Sequence, residues 1–374
     1  LASAEIAPRL RHLSLSGDGG TLYATQFITP VVPGEDTATP DVAAGGGVVL
    51  RLDPVTLQPL DTILLRHRDG IDTEDGARGL PNYLGALAIS PDGRSGWVPS
   101  KQDNILRGTL RDGQALTHES TVRAISSYVD LFANNEVLAN RVDHDNASIV
   151  SAARHGVFGN WLFAALEGNR QVAVIDAYAR QELLRFDVGR APQGIAVADD
   201  GRTLYTHNFM DRTVSVTDIA RIIDGSDISA QPIATLATID VEALSPAVLN
   251  GKQLFYDARD SRLARQMYMA CAACHNDGDG DGRTWDFTGF GEGLRNTISL
   301  NGHGDHGPLH WSANFDEVQD FEGQIRAFGG AGLMANADFN AGTVSEPLGD
   351  PKAGLSADLD DLAAYVESLT RFRE

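Results

Sequence analysis

Five consecutive residues, Cys271-Ala272-Ala273-Cys274-His275, carry the most specific chemistry in this chain. Cys-x-x-Cys-His is the attachment signature of a c-type haem: two thiols form thioether bonds to the porphyrin and the histidine ligates its iron. On a helix, positions three and four apart share a face. Cys271, Cys274 and His275 are therefore expected to address one flat cofactor together. Two other readings exist for the same residues. Half of a zinc site would want further Cys or His at ligand spacing, and the chain has only 2 cysteines. A thioredoxin-like Cys-x-x-Cys would want a βαβ pattern around it, which the flanking sequence lacks. The motif predicts one covalent haem c with His275 as proximal iron ligand.

One axial position then remains. A methionine there favours electron transfer at higher potential, whereas an open site favours oxygen or peroxide chemistry. Met334 is the first choice. His310, beside Trp311, is the alternative, with His303 and His306 in the same Gly-rich stretch. Met267 and Met269 precede the motif and are expected on the wrong side of the ring. The run Asp277-Gly-Asp279-Gly-Asp281-Gly282 is similar to the start of a calcium-binding EF-hand loop, but Thr288 stands where the bidentate acid belongs. A calcium site held by Asp277, Asp279 and Asp281 competes here with a solvated acidic turn.

The length, 374 residues, suits two domains. No apolar run approaches the ~18 residues of a membrane helix. Covalent haem attachment normally takes place outside the bacterial cytoplasm, so a periplasmic or extracellular location is expected, with any leader lying outside this sequence. Both cysteines belong to the motif, which leaves none for a disulfide. Net charge is −21. Such a field disfavours nucleic-acid binding and steers basic partners toward the protein. From Asp240 onward there are 22 acidic and 10 basic residues, so the acidity is concentrated around the cofactor motif. A basic redox protein is the expected partner.

Residues 1–239 carry a recurring pattern of alternating apolar strand, Asp-Gly type turn and second strand. Its turns fall at Asp18-Gly19, Asp92-Gly93, Asn160 and Asp200-Gly201. Asp-Gly supplies the positive φ angles that tight hairpins require. The 40-residue step from Asn160 to Asp200 is a propeller-blade period; the earlier steps are longer and must hold insertions. The run from Gly189 through Pro192, Gly194, Asp200-Gly201, Tyr205, Asn208 and Asp211 to Asp218 resembles a YVTN-type β-propeller repeat. About four blades are visible, and closed propellers hold about 4–8. Further blades are therefore expected upstream or on another chain. Lys101, Asp103, Asn104, His144, Asp145, Asn146, Asn208 and Asp211 sit near strand ends. Turn hydrogen bonding is their favoured role, with a loop-borne binding site as the alternative.

Near Asp240 the alternation stops. Ser245-Pro246 opens a helix, a second helix is expected to run through Leu263, Met267 and Met269 into the haem motif, another covers Phe315 to Phe328, and Ser356 caps a last helix. The run Asn250-Gly251-Lys-Gln-Leu254-Phe255, the haem motif, and Gly293-Leu-Arg295-Asn296-Thr297 together resemble the di-haem cytochrome c peroxidase/MauG superfamily. That resemblance implies a cytochrome c domain over 240–374, with Arg295 and Glu292 near a distal haem pocket. Two departures stand out. The chain has one haem motif, not two, and the stretch from Trp285 to Glu292 lacks the histidine that the peroxidatic half carries.

The expected architecture is thus multi-domain β + α: a YVTN-like β-propeller over 1–239, then an all-α cytochrome c domain over 240–374. The leading functional expectation is a mono-haem c-type cytochrome that transfers one electron, with the propeller as docking or ligand-binding platform. Alternatives are a peroxidase or MauG-like oxidase, using haem on a partner chain, and a haem-bearing binding or assembly module.

Overall fold

The structure is a computed structural model and describes residues 3–370 apart from 74, 75, 303, 305 and 306. His303 and His306 lie outside the described residues. The alternating strands form four antiparallel sheets in succession. The first contains β1 (Leu10–Leu15), β2 (Leu22–Gln26), β3 (Gly46–Leu52) and β4 (Pro59–Arg66). The second contains β5 (Leu80–Asn82), β6 (Ala88–Ile89), β7 (Ser95–Asp103), β8 (Val122–Asp130), β9 (Asn135–Glu136) and β10 (Val142–His144), with helix α1 (His118–Thr121) leading into β8. The third is a plain meander of β11 (Val150–His155), β12 (Trp161–Leu166), β13 (Gln171–Asp176) and β14 (Gln181–Asp187). The fourth repeats it with β15 (Pro192–Val197), β16 (Thr203–Asn208), β17 (Thr213–Asp218) and β18 (Gln231–Ala237), and α2 (Ala220–Asp224) joins β17 to β18.

Sheets of this kind hide their apolar faces against one another, and they do so here in chain order. Tyr23, Val49, Ile63 and Leu65 of the first meet Leu84, Leu87, Val98 and Val129 of the second. Ala88, Trp97 and Ala124 of the second meet Leu162, Ala164 and Ile175 of the third. Phe163, Val172 and Val174 of the third meet Leu204, Ile219 and Ile222 of the fourth. Sequential face-to-face packing of four-stranded meanders is the construction of a β-propeller. Its hairpin turns use glycines at positive φ, among them Gly93 at +70° and Gly201 at +71°.

The remaining chain corrects the expectation of a separate all-α cytochrome c domain. It does hold α3 (Pro246–Phe255), α4 (Phe321–Ala327), α5 (Asn336–Phe339) and α6 (Ala357–Ser368), but also a two-stranded sheet of β19 (Thr284–Phe287) and β20 (Gly293–Asn296). The helix expected to run into the haem motif does not form, because Gln266 and Met267 both adopt positive φ. Ser245 and Ser356 do cap α3 and α6, accepting hydrogen bonds from Val248 N and Leu359 N. These two helices cross so closely that a Cβ on Gly251 would lie 1.8 Å from the Asp361 carbonyl oxygen. Only glycine permits that approach.

Nor is this part detached. Lys101 on β7 is wholly buried and its Nζ lies 2.8 Å from Asp103 and 3.1 Å from Asp281, which follows the haem motif. Arg283 donates to Glu35 at 2.9 Å, and Glu35 also accepts from Thr284 N at 3.0 Å. Asn169 donates to the Met267 carbonyl at 3.0 Å, Arg170 pairs with Asp257, and Gln253 reaches the Met210 carbonyl at 3.2 Å. All four sheets are tied to it, so helices, hairpin and sheets share one body. Among the described residues no helix is long and apolar enough to cross a membrane.

Removing one partner from a buried ion pair strands the other, at a cost of about 3–5 kcal/mol. The substitution Lys101→Met should lower the unfolding free energy by about that much in denaturant titration. A loss below about 1 kcal/mol, the level of an exposed pair, would show that this bridge does not hold the two parts together.

Candidate haem-binding site

The motif forms a single turn. His275 N donates to the Cys271 carbonyl at 2.9 Å, the i to i+4 bond of an α-turn, and Cys274 N reaches the same oxygen at 3.2 Å. One such bond suffices to set Cys271, Cys274 and His275 on one side. All three line a single cavity enclosing about 1570 Å³, part of it open to solvent. The walls are mainly apolar: Phe255, Leu263, Phe321, Ile325, Phe328 and Leu362 contribute. Both thiols are free. Burial pushes the Cys271 thiol up to about 11, and burial with the Asp281 carboxylate pushes Cys274 up as well. An apolar cavity with two neutral thiols and an imidazole on one wall has the donor set and the lining that a c-type haem needs.

The wall behind the motif comes from the propeller. Tyr83 OH donates to the Cys274 carbonyl at 2.9 Å and accepts from Asn276 N at 3.3 Å. Its ring stacks on Phe27 at 4.6 Å, and the Lys101 ammonium lies 4.4 Å from its centroid. Burial works against the charge on Lys101, but Asp103 and Asp281 together raise its pKa. Between those two carboxylates, burial raises Asp103, whereas Lys101, Thr297 and the Arg283 N–H outweigh burial and lower Asp281. The difference follows the donors: Asp281 accepts from Arg283 N at 3.0 Å and Trp285 Nε1 at 3.3 Å as well as Lys101. Trp285 itself lines the cavity.

Among the candidate distal ligands, the structure brings His310 to the cavity and leaves Met334 outside its lining. Met334 is buried in the helical core, where Glu322 accepts from Leu333 N at 2.9 Å and Met334 N at 3.1 Å. His310 has both ring nitrogens engaged: Nδ1 with Asn314 Oδ1 at 3.0 Å and Nε2 with Gln324 Nε2 at 3.0 Å. It stacks on Phe315 at 4.4 Å. Arg295 and Glu292 also line the cavity and pair with each other at 3.3 Å. Met269 lines it too, although the sequence places it on the motif's own segment.

The three carboxylates of the acidic run have different partners in the structure. Asp281 is committed to Lys101, Asp277 pairs with Arg11 at 2.8 Å, and exposed Asp279 caps Gly280 N at 2.9 Å. Three carboxylates with separate partners make no cation cup, and among the described residues no group of three or more His, Cys, Asp or Glu is placed to hold a metal ion.

Of the polar strand-end residues, Asn208 and Asp211 do bond turn amides, those of Gly189 and Arg190. Lys101 and Asp103 serve the haem-motif wall instead, and Asp145 accepts from Tyr268 OH. The sequence reading missed His118, Gln324 and Trp285 as cavity residues. His118 and Gln324 stand at no ligand spacing from the motif, so only the fold reveals them.

No known protein-family profile matches the chain, and no curated protein matches it. Solved structures that resemble it include Kuenenia stuttgartiensis hydrazine synthase, at 14% identity and TM-score 0.40 over 56% of this chain and 58% of that one. Another is the Cps50 (Swd1) β-propeller domain of Myceliophteria thermophila, at 14% identity and TM-score 0.33 over 63% and 74%. A functionally unknown protein from Desulfotomaculum acetoxidans follows, at 10% identity and TM-score 0.36 over 62% and 56%. The chain thus spans little more than half the length of the first and third.

If Met334 stays in the core when haem is bound, Met334→Leu should leave the absorbance spectra of the oxidised and reduced pigmented protein unchanged. A changed spin state or a shifted midpoint potential would put its sulfur on the iron.

Proposed function

We propose that this protein is an extracytoplasmic mono-haem c-type cytochrome whose task is one-electron transfer. The observation that carries the reading is the meeting of Cys271, Cys274 and His275 on one wall of a large apolar cavity. When bound, haem c supplies an iron that cycles between two oxidation states. The chain does the rest. Cys271 and Cys274 would hold the porphyrin covalently, and His275 would ligate the iron. The aromatic and aliphatic walls exclude water. Tyr83 and the Lys101–Asp281 pair fix the motif turn from behind, and rigid support of this kind sets ligand orientation.

The propeller takes a larger part in this reading than that of a distant platform, because it builds the motif's back wall. Its outer faces remain the docking surface. Leu13 and Leu15 on the first sheet and Ile233 and Leu236 on the last are exposed, which supports the expectation of further blades on another chain. A second reading, peroxidase chemistry, draws support from His310, Gln324, Arg295 and Glu292 around the cavity. It requires an accessible iron position and rapid oxidation by peroxide, which the electron-transfer reading does not.

Net charge of −21 favours a basic partner, and attraction between exposed charges weakens as the Debye length shrinks from ~10 Å at 0.1 M salt. Stopped-flow electron exchange with a small basic cytochrome should slow markedly between low and high ionic strength. Rates that ignore salt would contradict a basic partner, and peroxide turnover faster than electron exchange would replace the electron-transfer reading with the peroxidase one.

A further inference from the structure

We propose that His118, a residue of the propeller, is the second axial ligand of the haem iron. The inference rests on the reading of the cavity as a haem c site.

His118 opens α1, directly before β8 of the second sheet. It lines the same cavity as Cys271, Cys274 and His275. The residue is 5% exposed, and among the described residues neither Nδ1 nor Nε2 has a hydrogen-bond partner. Buried polar groups are ordinarily satisfied, and an unsatisfied one costs about 1–3 kcal/mol. A buried imidazole without such a partner at the edge of this cavity is accounted for if the cofactor is its partner.

Its mounting suits that task. The ring meets Phe328 edge-on at 6.2 Å and 88°. Phe328 follows α4, and with Gln324 and Ile325 it brings that helix to the cavity. Gly329 comes next at φ +100°, and a Cβ there would lie 3.0 Å from His118 Nε2 and Cδ2. The glycine therefore leaves the ring its space. Burial, reinforced by Arg265, lowers the His118 pKa against the pull of Glu119. Imidazole is a natural ligand for iron.

The competitors are less well placed. His310 would have to release Asn314 or Gln324 to free a nitrogen. Met334 does not reach the cavity lining, and Met269 belongs to the motif's own segment. Ligation by His118 forms one coordinate bond from a nitrogen lone pair and involves no change of oxidation state. It would also make the propeller part of the cofactor site itself.

The test uses the full chain, produced in a host that attaches c-type haem, with covalent haem verified by intact mass. Electron paramagnetic resonance and absorbance should show a low-spin, six-coordinate iron in the wild type. His118→Ala should convert the iron to a high-spin state, and added imidazole should restore the low-spin spectrum. His310→Ala should leave the low-spin signal intact. Should His118→Ala fail to fold, His118→Met serves as the second variant. It is expected to raise the midpoint potential and introduce the long-wavelength charge-transfer band of methionine-ligated iron. A low-spin spectrum unchanged in His118→Ala or His118→Met, or lost in His310→Ala, overturns the assignment while the haem reading stands. A mass without haem overturns both.

Discussion

A single buried cation does much to decide the form of this molecule. Lys101 comes from the second propeller sheet, carries no exposed surface, and lies between Asp103 of its own strand and Asp281 of the loop that follows the haem motif. In a low-dielectric interior neither carboxylate is tolerable without the ammonium, nor the ammonium without them. The loop after His275 must therefore seat against β7, and the motif turn with it. Tyr83 adds the direct link, with its hydroxyl on the Cys274 carbonyl.

Once that seat is fixed, the cavity has two origins. Helices α3, α4 and α6 give it apolar walls, while the sheets give it the back of the motif and His118. A site shared between parts of the chain that are distant in sequence makes folding and cavity geometry one problem. It also explains why the helices at the end of the chain are short. They need not wall the cavity alone, since the sheets and the hairpin of β19 and β20 contribute to its lining.

What is local in this fold is legible in the sequence. The four sheets announce themselves through alternating residues and Asp-Gly turns such as Asp92-Gly93 and Asp200-Gly201, whose glycines take the positive φ that hairpins need. The caps Ser245 and Ser356 and the Cys-x-x-Cys-His spacing are equally local. The errors come where long-range contacts overrule local pattern. Leu263 to Met269 carries apolar residues at helical spacing, yet Asn169 captures the Met267 carbonyl and the backbone turns to positive φ at Gln266 and Met267. Asp281 completes a calcium-like run, yet it is consumed by a lysine 180 residues away. Thr284–Phe287 and Gly293–Asn296 are too short to declare themselves strands, and they pair because Glu35 and Asp286 anchor the first of them to the propeller. His118 has no sequence relation to the motif, and only the packing of α1 against the end of α4 brings it in.

The central claim is that Cys271 and Cys274 are tethered to one haem whose iron is held by His275. Intact-mass spectrometry of the chain from a host competent in c-type haem attachment, paired with the pyridine haemochrome spectrum, tests it most directly. The account predicts the polypeptide mass plus one haem, resistant to acidic acetone extraction, and bare polypeptide when both cysteines are changed to serine. A colourless wild-type protein with the mass of polypeptide alone, from a host that loads a control cytochrome c, would contradict it.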